Sequence, residues 1–169
     1  LGKSGQIGEA ITMYHSLLAD DLRILGSEHP DTLTTRSNIA YWLGEFQNTK
    51  EAITEHKLLL ADQYRILGPD HLDTLKTRNN LAYQLTEAKR FNEAIDQLRM
   101  LLESQTRTLG PEHSDTLTTC NSIANLFVKA DLFDEAINQF SQLLSSQIRS
   151  LGVDHSNTLT TRNISAKLL

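Results

Sequence analysis

Apolar and polar positions along the chain fall into two alternating helical patterns. In one, Leu75, Leu81, Ala82 and Leu85 share one side of a helix, while Arg78, Asn79 and Lys89 fall off that stripe. This predicts a first helix, A, over roughly 74–86. A polar break at 87–90 ends it. Ala94, Ile95, Leu98, Leu101, Leu102 and Leu109 then define the stripe of a longer helix, B, from about 92 to 109. Upstream of A, Gly68 and Pro69 mark a helix stop, and Asp73 and Thr74 offer side-chain oxygens to cap the helix that follows. Gln84 reads as an exposed position of A.

The whole pattern recurs every 42 residues. Leu-Gly stands at 25/26, 67/68, 109/110 and 151/152, and Thr-Leu at 32/33, 74/75, 116/117 and 158/159. Histidine occupies 29, 71, 113 and 155, arginine 23, 65, 107 and 149, and Glu-Ala-Ile begins at 9, 51, 93 and 135. No insertion breaks the register. The chain therefore divides into a partial unit, 1–26, full units of about 27–68, 69–110 and 111–152, and a partial unit, 153–169. Read through, this gives a B helix near 8–24, three A/B pairs, and a last A helix near 157–169. Neither helix can bury its stripe alone, so neighbouring hairpins must stack and share a core. The fold class expected is all-α, a right-handed α-solenoid forming a single array cut from a longer one.

Composition narrows the function classes. Sixteen Lys and Arg against 21 Asp and Glu give a net charge of -5, and no basic run stands out. Nucleic acid and anionic membrane surfaces are therefore not the expected partners. Apolar runs are short, as at Leu58 to Ala61, so no membrane span is expected. Residues 1–6 lack the layout of a signal peptide. Cys120 is the one cysteine, which excludes an internal disulfide and fits a reducing compartment such as the cytoplasm.

The repeated unit resembles the tetratricopeptide repeat. The family's signature is matched in reduced form by Ile39-Ala40-x2-Leu43, Ala136-x3-Phe140 and Ala10-x3-Tyr14, with Ala40, Ala82, Ala124 and Ala166 at its small-residue position. Arg36, Arg78, Cys120 and Arg162 stand in place of its tryptophan, and the unit exceeds the usual length of about 34 residues. With L-G-[SPV]-[DE]-H-x-[DN]-T-L between units and Thr77-Arg78-Asn79-Asn80-Leu81-Ala82 within one, the chain resembles the kinesin light chain class of these repeats. The resemblance implies a protein-interaction scaffold. It also leaves open a regulatory array attached to a larger nucleotide-binding signalling ATPase.

The recurring histidines invite a metal reading, but equivalent positions of stacked hairpins lie roughly 10 Å apart, set by helix packing, too far to share one ion. Packing or loop capping is the expected use. His15 and His56 sit inside B helices with no partner pattern. The arginines at 23, 65, 107 and 149 lie near the negative ends of B helices, where pairing with an acid of the adjacent repeat is expected. Cys120 has no histidine and acid in an interpretable relation to it, and no phosphate-cradling loop or nucleophile elbow exists. Neither enzyme chemistry nor a metal or cofactor is expected.

In tetratricopeptide arrays the A helices line a concave groove, and the resemblance carries the ligand-facing positions onto this chain. In the first pair they are Thr34, Ser37, Asn38, Tyr41 and Glu45, and in the second Lys76, Asn79, Asn80, Tyr83 and Glu87. The third gives Thr118, Asn121, Ser122, Asn125 and Lys129, and the last half-unit Thr160, Asn163 and Lys167. Amides and hydroxyls suit the backbone of an extended peptide, and tyrosines supply flat contact area. Asparagines bonding between neighbouring A helices would be the purely structural use. At the ends, Ile11, Tyr14, Leu17 and Leu18 of the first B helix face Leu159, Ile164, Ala166, Leu168 and Leu169 of the last A helix in kind, so head-to-tail self-association is a further expectation.

Overall fold

A computed structural model describes residues 2–46 and 48–168, with backbone alone over 2–7. The regular structure of these residues is helical, with no strand among them. They form two compact units, 1–90 and 91–169. The first contains α1 (Gly2–Ile24), α2 (Pro30–Glu45), α3 (Thr49–Ile66) and α4 (Leu72–Glu87). The second contains α5 (Phe91–Thr108), α6 (Ser114–Lys129), α7 (Phe133–Leu151) and α8 (Ser156–Leu168). Even-numbered helices are the A helices and odd-numbered ones the B helices. Within each unit, every helix packs on the next along the chain.

The joint from B to A is built the same way each time. A glycine with φ between +88° and +95° ends the B helix, at Gly26, Gly68, Gly110 and Gly152. This left-handed backbone costs a residue with a side chain but not glycine. Leu67 and Gly68 both donate their N–H to the Gln63 carbonyl, closing the end of α3. The next helix is capped by histidine, not by Asp73 and Thr74 as expected. His71 Nδ1 accepts from the Asp73 N–H at 3.2 Å, and His29, His113 and His155 make the same bond to residues 31, 115 and 157. The threonines turn inward instead: Thr32 and Thr116 donate at 2.8 Å to the carbonyls of Gly26 and Gly110. Because the cap is the histidine, α4 starts at Leu72, ahead of the expected residue 74.

The joint from A to B is a tight turn. Lys89 and Asp131 adopt φ of 58°, and the Arg90 and Leu132 N–H groups bond to the carbonyls of Leu85 and Phe127. The first B helix departs from the expected start near residue 8, since α1 is helical from Gly2. The acceptor equivalent to Leu85 is Leu1, which lies outside the described residues, as does Leu169 among the expected end positions.

The cores carry the predicted stripes except at Leu109, which is exposed because α5 ends at Thr108 and the chain turns away there, while Leu75 and Leu102 are half-buried. In unit 1, Ile39, Leu43 and Ala52 are buried together, with Ile11, Tyr14 and Leu18 of α1 packed on them. Leu81, Ala82 and Leu85 are buried on α4. In unit 2, Ala94, Ile95, Leu98, Ile123, Phe127 and Phe140 are among the buried set. Two polar residues expected off the stripe are buried as well. Arg78 is among them, and burial lowers its pKa. Gln84, read as exposed, lies against Gly44 of α2, so close that a Cβ on that glycine would collide with its amide. Among the described residues no helix is long and apolar enough to cross a membrane.

Candidate functional site

Helix periodicity decides which side chains leave the A helices on the face not taken up by B. On α2 that face carries Thr34, Ser37, Asn38, Tyr41 and Glu45, and on α4 Lys76, Asn79, Asn80, Tyr83 and Glu87. All ten are exposed or half-buried. On α6 and α8, Thr118, Asn121, Ser122, Asn125, Lys129, Thr160, Asn163 and Lys167 are likewise exposed or half-buried.

Each unit has a cavity on this face at the same register. In unit 1 it measures about 250 Å³ and lies between the first turns of α2 and α4, against the end of α3. Thr34, Ser37, Asn38 and Lys76 line it, together with Leu33, Gln63, Leu67 and His71. In unit 2 it measures about 440 Å³, with Thr118, Asn121 and Thr160 beside Leu117, Gln147, Leu151 and His155. The tyrosines, Asn79, Asn80, Ser122, Asn125, Asn163, Lys129, Lys167, Glu45 and Glu87 lie on the A helices outside these cavities. Sequence reasoning missed the glutamines. Gln63 and Gln147 are buried in the cavity walls, and their side-chain carbonyls have no hydrogen-bond partner. The signal was present, since glutamine recurs at 63, 105 and 147 with aspartate at 21. At two of these positions the side chain accepts from the next A helix: Thr35 donates to Asp21 and Thr119 to Gln105, each at 2.7 Å.

Several face hydroxyls are engaged by their own helix. Thr34, Thr118 and Ser122 donate to the carbonyls four residues back, and the Asn125 amide donates to the Asn121 carbonyl at 2.9 Å. That leaves their oxygens able to accept further bonds. Tyr41 packs edge-on against Trp42, with ring centroids 5.3 Å apart.

The charged residues behind the face pair within single units. Arg65 reaches Glu28 at 2.7 Å and Arg149 reaches Glu112 at 3.0 Å, each inside its own 42-residue unit and not with the adjacent repeat as expected, because the end of a B helix folds back beside the loop that opens its own unit. Arg23 pairs with Asp20 of its own helix. Arg36, at the tryptophan position, bonds Asp62 at 2.7 Å, and that hydrogen bond, with Arg65 nearby, holds the Asp62 carboxyl below its usual range. Burial pushes the Cys120 thiol up, away from the thiolate that a nucleophile needs. Among the described residues no group of three His, Cys, Asp or Glu side chains could hold a metal ion.

Comparison with known proteins matches residues 73–148 to one tetratricopeptide repeat family model and residues 32–73 to another. Among solved structures, the nearly identical TPR-like repeats of a Podosopora anserina protein assigned as a kinesin light chain superpose with a TM-score of 0.86 at 23% identity. That match covers 98% of this chain and 79% of the other. A single-site variant of the same protein gives 0.84 at 23% identity, covering 98% and 78%. BtubC (BKLC) from P. vanneervenii gives 0.79 at 18% identity, covering 99% of this chain and 66% of that one. No curated protein matches the chain.

Proposed function

Because the chain belongs to the tetratricopeptide repeat family, a protein-interaction repeat scaffold, we propose that its A-helix face binds a peptide or protein segment in extended form. The observation that carries this reading is the pair of cavities at one register in both units, each walled by A-helix hydroxyls and amides and by a buried glutamine. Such groups match main-chain N–H and C=O groups that an extended segment leaves open. The work of the face is recognition, without chemistry on the ligand, in the cytoplasm and in the service of signalling. Mixed charge, with Lys76, Lys129 and Lys167 against Glu45 and Glu87, gives moderate salt dependence. The test is to select peptides from a displayed random library on the immobilised chain. The selected peptides should lose roughly tenfold or more in affinity for the Asn79→Ala/Tyr83→Ala double variant, as expected for an aromatic anchor. Helicity should be unchanged, since both side chains lie off the buried stripe. Undiminished binding would move the site elsewhere.

A second reading rests on exposed apolar positions. Leu17 of α1 is exposed where Leu59, Leu101 and Leu143 are buried, and Ala166 and Leu159 of α8 are exposed where Ala40, Ala124, Leu33 and Leu117 are buried. Pairing of α8 of one copy with α1 of another would cover both sets, so head-to-tail self-association is proposed alongside ligand binding. Light scattering should show mass rising with concentration, and Leu17→Glu should abolish the rise. A constant monomer mass would contradict this.

A further inference from the structure

We infer that the A-helix face of unit 1 takes a proline-rich segment in polyproline II conformation, with a basic residue beside its prolines. The inference rests on the peptide-binding reading of that face and adds the class of peptide. Tyr41 and Tyr83 occupy equivalent positions one repeat apart, on α2 and α4, and the two residues are 46% and 55% exposed. The two helices touch directly where Gly44 meets Gln84. Helices in contact have axes about 8–10 Å apart, so the tyrosines stand on the order of that distance from one another.

That spacing selects among ligand backbones. Polyproline II brings every third residue to the same side after about 9.3 Å, one ring for each tyrosine. A β-strand turns residues three apart to opposite faces, so it cannot address both rings with that step. An α-helix keeps its main-chain groups for itself, and would leave the half-buried amides of Asn38 and Asn80 nothing to bond. Polyproline II has no internal hydrogen bonds, so its carbonyls are open to such donors. Tyrosine suits the pyrrolidine ring because each offers a rigid, flat apolar surface with little freedom to lose.

The flanking charge follows from the helix ends. Glu45 and Glu87 are exposed at the last residues of α2 and α4, where the helix carbonyls add partial negative charge. A cation beside the prolines complements that edge. Unit 2 provides the contrast: Asn125 and Lys167 stand at the tyrosine position and Lys129 at the glutamate position, so neither the ring pair nor the acidic edge recurs there.

The test uses the full chain and a fluorescein-labelled peptide of nine prolines followed by two arginines, with a comparator carrying the same arginines behind nine alternating glycines and serines. The polyproline peptide should bind about tenfold more tightly than the comparator, a difference of one aromatic anchor's size. Tyr83→Ala should weaken it by about tenfold and Tyr83→Phe by less than about twofold, since the ring and not the hydroxyl makes the contact. Glu87→Gln should weaken binding and flatten its salt dependence. Circular dichroism of each variant confirms that the helices persist. Equal binding of the two peptides, or undiminished binding to Tyr41→Ala/Tyr83→Ala, would overturn the inference. Library-selected peptides that lack proline yet depend on Asn79 would leave the face standing as an interaction surface and would equally overturn it.

Discussion

His56 lies fully buried in α3 with no partner for either ring nitrogen. Tyr14, Leu98 and Phe140 hold its place in the other repeats. Burial pushes its pKa down from 6.5 to about 4, so the folded chain keeps it neutral. Between these values the unfolded chain binds a proton that the folded chain refuses. Stability is therefore lost as pH falls from 6.5 towards 4 and changes no further from this group below that. The loss amounts to about 3 kcal/mol. Urea unfolding at pH 7 and pH 5 should show about 2 kcal/mol of this decline, and His56→Leu should remove most of it while raising stability at pH 7. An unchanged pH slope in the variant would show that other groups govern it. The recurring histidines behave differently: His71→Ala should cost about 1 kcal/mol through loss of the cap, and His71→Asn much less. Their use was legible only in part: recurrence at a joint pointed to packing or loop capping, while the helix cap itself was expected from Asp73 and Thr74. His56 was not legible, since a search for repetition passes over a residue that appears once, and only the apolar identity of its counterparts marks its place as core.

Helices and joints follow the period closely, and their energetics are open to direct measurement. Gly68→Ala places a Cβ on a backbone with φ of +89° and should cost about 1–3 kcal/mol, though nothing within 4 Å obstructs the new atom. The cost is conformational. Ala82→Leu and Ala124→Leu should each cost about 1–3 kcal/mol by overpacking, because both alanines are buried at close helix contacts. Thermal melts of the three variants beside an exposed-site control, Asn79→Ala, check both figures. Gln84→Leu cannot serve as that control. Its amide occupies the space left by Gly44, so Leu at 84 alters the contact between α2 and α4. The clue lay in the register, where Leu126 and Trp42 hold the equivalent positions. An isolated glutamine reads as solvent-facing, whereas the column it belongs to reads as contact. The A-helix starts were misplaced for a related reason: threonine is the commoner cap, but here it is buried in the joint, where Thr32 and Thr116 donate to the preceding glycine carbonyl and the Thr74 and Thr158 hydroxyls have no partner.

For the molecule, repetition made the all-α class and the alternation of A and B helices legible, but not the burial of Arg78 and Gln84. What repetition could not supply is how the positions of the A face are used. The sequence reading treated them as one continuous list, yet the cavities collect only those near the first turns, and recruit leucines, glutamines and histidines that recur for structural reasons. Side chains shared between a joint and a cavity cannot be assigned from spacing alone, because the same recurrence serves both uses. The A-helix face is the proposed interaction surface, and one photocrosslinking experiment tests that proposal most directly. A benzophenone side chain is placed at position 83 on α4 or at position 58 on α3, since Tyr83 and Leu58 are 55% and 54% exposed and differ in the face they occupy rather than in accessibility. Each protein is irradiated with the library-selected peptides. Capture from position 83 and not from position 58 is the predicted result; capture from position 58 alone would contradict it.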